Sequence, residues 1–174
     1  MPRAAQLLVS RTAKPDIPAH WSLYVPYASS NDTGKLIHVV GSPLYGFMLE
    51  FKAPYVPAED SIKRVSFPLC TIEDEHIRDT ESYELVDGGR KTVVMAVETA
   101  RCEDELELIA MAVDVPEKTK GWNPLVPAKV GDKNCQWWMR EYVDMLVKEG
   151  VFTEEAYANL AKVPETWSQF KEDD

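Results

Sequence analysis

The stretch HWSLYVPYASSNDTGKLIHVVG, residues 20–41, decides how the chain reads. His20 to Val25 alternates β-forming residues and stops at Pro26, and Lys35 to Gly41 is a second strand of the same kind. Between them YASSNDTG reads as a loop, with Asn31, Asp32 and Gly34 supplying turn chemistry. The two strands make an antiparallel hairpin. Residues i, i+2 and i+4 share a strand face, so His20, Ser22 and Tyr24 point one way and Trp21, Leu23 and Val25 the other. His38 lies on the second strand, flanked by Ile37 and Val39. Neighbouring antiparallel strands can bring two imidazoles within reach of each other. His38 is then placed to orient His20 and fix its tautomer.

Working outward, Ala5 to Ser10 reads as an earlier strand, Leu44 to Lys52 as a later one, and Ile62 to Leu69 as a further strand. Residues 71–87 hold seven acids without the spacing of a calcium loop, which reads as a solvated helix or loop with His76 solvated inside it. Residues 97–112 read as a helix with Cys102, Leu106, Ile109 and Val113 on one apolar face. A proline-rich connector follows at Pro116, Pro124 and Pro127. Asn134 to Lys148 is the strongest amphipathic helix, with Asp132 or Asn134 as N-cap and Gly150 at its C-terminal end. Thr153 to Lys162 reads as a last helix with Thr153 as N-cap. Strands precede helices, so the expected class is α+β, with helices packed on an antiparallel sheet in one domain over residues 1–174.

Composition excludes several functions. The chain has 174 residues, 19 Lys+Arg and 29 Asp+Glu, for a net charge of −10. That balance argues against nucleic acid or an anionic membrane as the main partner, since both need clustered Lys/Arg. No run approaches the ~18 apolar residues of a membrane span. Three cysteines, an odd count with no C-x-x-C pair, exclude a disulfide scaffold and a Cys-rich zinc module, and fit a reducing cytoplasm.

Cys135 opens the amphipathic helix. A thiol in a first helical turn feels unpaired backbone N–H groups and the positive end of the dipole, which favours the thiolate. Trp138, Met139, Tyr142 and Leu146 share its face, so the thiol should point toward the sheet. A thiol beside an imidazole suits nucleophilic acyl transfer: His20 takes the proton and returns it to the leaving group, and backbone N–H groups near Cys135 hold the oxyanion. Against this stand the ordinary readings. A buried helical cysteine is usually inert packing, and Cys70 and Cys102 are read so. His20, His38 and Cys135 are acceptable zinc ligands, but no fourth ligand and no chelate spacing accompany them, so no metal and no cofactor are assigned.

The segment 20–41, together with Asn134-Cys135-Gln136-Trp137, resembles the circularly permuted papain-like thiol enzymes, particularly the lecithin:retinol acyltransferase-like group. That group carries an H-W-x-hydrophobic-Y-hydrophobic strand, a second His at the end of the next strand, and later an N-C-E-H-F-like motif opening a helix. His20 and Tyr24 match the first strand, His38 the second His, and Cys135 the nucleophile preceded by Asn134. The resemblance covers about a third of the chain and implies an antiparallel sheet with the Cys helix packed on it. Gln136-Trp137 stands where the group has Glu-His, and the hairpin loop is longer. The chain also looks like uncharacterised proteins common in filamentous fungi.

Three expectations follow. The first is a thiol hydrolase or acyltransferase with Cys135 as nucleophile, His20 as base and acid, His38 as orienting residue, and Tyr24 as a supporting or oxyanion donor. Its substrate is a small molecule, lipid or peptide. The second is a non-catalytic binding protein with a degenerate site. The third is a biosynthetic enzyme that uses the cleft for non-covalent cyclisation or condensation. Oligomeric state is left open.

Overall fold

A computed structural model describes residues 1–80, 102–121, 123 and 132–170. Five strands form one antiparallel sheet: β1 (Arg3–Ser10), β2 (His20–Tyr27), β3 (Ser30–Ser42), β4 (Gly46–Tyr55) and β5 (Arg64–Ile72). Their order across the sheet is β4-β3-β2-β1-β5. Three helices follow: α1 (Glu105–Ala112), α2 (Cys135–Lys148) and α3 (Glu155–Leu160). The α+β class and the antiparallel sheet expected from the sequence are therefore present.

The side-chain alternation of the strands divides the sheet into two unlike faces. One face presents Leu7, Val9, Trp21, Leu23, Ile37, Val39, Leu49 and Phe51, and these join the main core with Trp138, Met139, Tyr142 and Leu146 of α2. The other face carries Ser10, His20, Ser22, Tyr24, Leu36, His38 and Glu50, and only a small apolar cluster of Leu8, Tyr24, Leu36 and Tyr55 forms there. β4 and β5 are the two edges of the sheet, so the chain between them must cross from one edge to the other. Asp60 in that crossing accepts from the Tyr55 hydroxyl at 3.2 Å and from Arg64 at 2.5 Å, and the 3-10 turn Pro57–Glu59 packs against β3.

Several local expectations change. YASSNDTG is not a loop: β3 begins at Ser30, and only Ala28 and Ser29 turn between the strands. Pro26 lies inside β2 rather than ending it, because a register irregularity at Pro26/Tyr27 spares the ladder the N–H that proline lacks. Gly34 sits where a Cβ would lie 2.3 Å from the Val25 carbonyl and 2.7 Å from the Tyr24 ring, so strand pairing itself requires glycine. Helix α1 begins at Glu105 with Asp104 as its cap, which leaves Cys102 outside the helix. Residues 97–101 lie outside the described residues, as do 81–87, Pro124 and Pro127. Thr153 does not cap α3: Glu154 holds that position without a side-chain bond. His76 is half-buried, and its Nδ1 meets the partly exposed Glu105 carboxylate at 2.5 Å.

One polar cluster in the fold was not foreseen. Lys35, with a fully buried side chain, reaches both Asp104 and Glu107 at 2.5 Å. These contacts fasten the first turn of α1 to β3, and the Tyr142 hydroxyl donates to the Leu106 carbonyl at 2.8 Å beside them.

Candidate functional site

His20 is the first residue of β2, and its side chain lies on the polar face of the sheet. The β2–β3 register pairs Leu23 with Ile37, which sets His20 diagonal to His38. Their rings meet edge-on, with His20 Nε2 2.7 Å from His38 Nδ1. On the far side of His38, the β3–β4 register pairs it directly with Glu50. His38 Nε2 lies 2.5 Å from Glu50 Oε2. At that distance the Glu50 carboxylate is the acceptor for the His38 ring N–H, and this contact opposes the effect of burial on His38.

This chain of three fixes its own tautomers. A carboxylate can only accept, so His38 carries its proton on Nε2 and leaves Nδ1 as an acceptor. His20 must then donate from Nε2, and its Nδ1 lone pair is left free of any hydrogen-bond partner among the described residues. Burial, then the neighbouring His38, pull the His20 imidazole down to about 3. Burial also lowers His38, against the opposing Glu50. Burial resists ionisation of Glu50, but His38 and Lys52 outweigh it and hold its carboxyl below the usual range. At neutral pH the arrangement is therefore two neutral imidazoles backed by one carboxylate.

Cys135 is the first residue of α2. Asn134 caps that helix, its Oδ1 accepting from the N–H of Gln136 at 2.9 Å and of Trp137 at 3.2 Å. The Trp138 N–H goes to the Asn134 carbonyl. Of the first-turn amides proposed as oxyanion donors, only that of Cys135 is not taken by Asn134. Cys135 is 8% exposed, and its sulfur sits against the backbone on either side of His20. It donates to the Ala19 carbonyl at 3.9 Å and receives the Trp21 N–H. Burial pushes the thiol up and outweighs those backbone N–H groups, so the thiolate expected from the first-turn position is disfavoured. Cys135 thus reaches the backbone of β2 on either side of His20 from the core side of the sheet. The His20 side chain turns to the other face, and its hydrogen-bonded chain runs on to Glu50. Among the described residues the two expected partners make no side-chain hydrogen bond with each other.

Tyr24 lies two residues further along the same face from Ser22. Its hydroxyl is buried, has no hydrogen-bond partner among the described residues, and is pushed up to about 12, by burial and then by Asp32. It belongs to the cluster with Leu8, Leu36 and Tyr55 and has no contact with His20, His38 or Cys135 among the hydrogen bonds. Glu50 was missed by the sequence reading. The signal for it was present: in Leu49-Glu50-Phe51 an acid alternates with core residues, on a strand whose turn at Ser42/Gly46 sets it opposite His38.

Gln136, which stands where the resembled group has Glu, is a buried clamp. Its Nε2 donates to the Ala19 carbonyl at 2.9 Å and to the Glu165 carbonyl at 2.6 Å. Two grooves lie near α2. One of about 490 Å³ is flanked by Lys133 and Trp137, two residues to either side of Cys135, and by the segment Asp114–Thr119. The other, of about 650 Å³, lies between Arg140 and the segment 161–165. Among the described residues no group of three or more His, Cys, Asp or Glu is arranged to hold a metal ion, and no helix is long and apolar enough to cross a membrane.

Fold and site together define an α+β protein with an imidazole–imidazole–carboxylate chain on one sheet face and a helix-opening cysteine packed against the backbone at the start of the same strand. A family model described as a family of unknown function, DUF6540, matches residues 6–153, and the chain belongs to that family. No curated protein and no solved structure matches the chain.

Proposed function

We propose that the protein is a thiol-dependent hydrolase or acyltransferase acting on an ester or amide, on a permuted papain-like arrangement. The observation that carries this reading is proximity along the chain of β2: the Glu50–His38–His20 relay leaves His20 Nδ1 without a hydrogen-bond partner among the described residues, and the Cys135 sulfur contacts the peptide units on either side of that residue.

Both groups are neutral at rest, so the nucleophile forms during attack. The Cys135 proton passes to His20 Nδ1 as sulfur bonds to the substrate carbonyl carbon. The imidazolium so formed is stabilised through His38 by Glu50. The Cys135 N–H, the first-turn amide that Asn134 does not take, is the donor offered to the developing oxyanion. Collapse breaks the bond to the leaving group, which takes the proton from His20, and a thioester remains. Water or another acceptor, deprotonated by His20, then releases the acyl group and restores the thiol. The groove flanked by Lys133 and Trp137 offers charged and apolar side chains to the substrate.

Incubation with p-nitrophenyl acetate, followed by intact mass and peptide mapping, tests this reading. An acetyl adduct on Cys135, absent in Cys135→Ala and slowed at least tenfold in His20→Asn, supports it. Adducts spread equally over Cys70, Cys102 and Cys135, or equal acylation in His20→Asn, overturn it.

A second reading is favoured by the burial of the thiol: His20 acts as a general base in a non-covalent reaction. In that case activity survives Cys135→Ala and is lost in His20→Asn.

A further inference from the structure

The segment that follows α3 returns to the site. The Glu165 carbonyl accepts from the Ala19 N–H at 2.8 Å and from Gln136 Nε2 at 2.6 Å. Pro18 and Thr166 form a β-bridge, and the Trp21 indole donates to the Pro164 carbonyl at 3.2 Å. Arg140 pairs with the Glu165 carboxylate while its guanidinium lies 4.8 Å over the Trp21 ring. Every one of these contacts falls on the residues just before or after His20, or on α2 just after Cys135. This segment lies beyond the residues that the family model matches.

Gln136 is the joint of this assembly. Its carboxamide offers two N–H groups, and both are used: one on the strap at Glu165, one on the Ala19 carbonyl. The Ala19 carbonyl is also the acceptor for the Cys135 thiol. The same oxygen therefore fixes the thiol and is itself fixed by Gln136. An apolar side chain at 136 would leave the Glu165 carbonyl with one donor and the Ala19 carbonyl with the thiol alone, freeing both in a buried place.

We infer that Gln136 is a positioning residue that locks Cys135 against the start of β2, and that the segment Pro164–Thr166 is the strap it locks. The inference rests on the thiol-enzyme reading only for its turnover arm. Loss of the lock exposes the sulfur and at the same time misplaces it. These two effects move chemical reactivity and catalysis in opposite directions.

The test compares wild type with Gln136→Met, which keeps length and packing, and with Glu165→Ala, which keeps the strap carbonyl and removes its tie to Arg140. Iodoacetamide alkylation of Cys135 and of Cys70 is followed by peptide mass spectrometry at pH 8. Cys70 is equally buried but lies on β5, so it reports general loosening. In Gln136→Met, Cys135 alkylation is expected to rise at least tenfold, with Cys70 unchanged within twofold. Cys135 acylation by p-nitrophenyl acetate at saturating ester is expected to fall by a factor of about ten to a hundred, the scale of a misplaced reacting group. Glu165→Ala should shift both rates the same way by a smaller factor. Unchanged Cys135 alkylation in Gln136→Met overturns the inference, and so does a parallel rise at Cys70. If instead alkylation responds as expected but Cys135→Ala is as active as wild type, the strap stands and the thiol-enzyme reading falls.

Discussion

Glu50→Gln is the sharpest perturbation of the proposed relay. Glu50 is 6% exposed, and its oxygen lies 2.5 Å from His38 Nε2. The carboxylate does two things there: it selects the Nε2–H tautomer of His38 and it stabilises charge arriving at His20. Glutamine has nearly the same shape but can turn its NH₂ toward Nε2. His38 then carries its proton on Nδ1 and donates it to His20 Nε2, which forces the His20 proton onto Nδ1. That nitrogen can no longer accept from a thiol. In the serine-protease triad a wrong tautomer at the base lowers kcat by about 10⁴, equivalent to ~5.4 kcal/mol at 1.36 kcal/mol per tenfold. Here the flip must pass through one extra imidazole, so a loss of about 10² to 10⁴ is expected in Cys135 acylation. Glu50→Asp, which keeps the charge, should lose much less. Long-range ¹H–¹⁵N correlation spectra read the tautomers directly and need no substrate: both rings should show Nε2–H in wild type and Nδ1–H in Glu50→Gln. Acylation within threefold of wild type, together with unchanged imidazole nitrogen shifts, would refute the relay.

The remaining predictions concern stability. His20 is pulled to about 3 in the folded state against 6.5 unfolded, so the unfolded chain binds the extra proton between those values. Stability is then full above pH 6.5 and falls as the pH drops toward 3, by about 1.4 kcal/mol per pH unit for this one group. Between pH 6.5 and 5.5, above the range where most carboxylates titrate, the fall in Tm should be clearly smaller in His20→Asn; an equal fall contradicts the assignment. Lys35→Met leaves the buried Asp104 and Glu107 carboxylates without their cation, which should cost about 3–5 kcal/mol in urea unfolding, whereas a loss below 1 kcal/mol would mean that the cluster is solvated. Asn134→Ala removes the acceptor for two first-turn amides of α2 and should cost about 1 kcal/mol, measured by the same titration. Gly34→Ala drives a Cβ into the Val25 carbonyl and should lower Tm by more than Asn134→Ala does; near-wild-type stability would show that β2 and β3 can part there.

The sequence by itself determined the local elements and their faces. Alternation in His20–Val25 and Lys35–Gly41 is a period-two signal that backbone geometry enforces, so His20, Ser22 and Tyr24 could be assigned to one face and Trp21, Leu23 and Val25 to the other. The cap at Asn134 and the apolar stripe through Trp138, Tyr142 and Leu146 were legible for the same reason: capping and helical periodicity are local. What escaped was settled by pairing between distant segments. Serine, asparagine and aspartate at 30–32 have turn chemistry, yet the ladder with β2 draws them into β3. Glu50 joins His38 only because a turn 42–46 sets the register, and a shift of one residue would have turned it to the other face. Lys35 looks like a strand lysine bound for solvent until α1 arrives from 70 positions later with Asp104 and Glu107. Gln136 looks like a polar helix residue until the chain end returns to it. Local physics acts through neighbours in sequence and can be read there. A buried charge, a relay or a clamp takes its meaning from a partner that only the folded chain brings within a few ångströms.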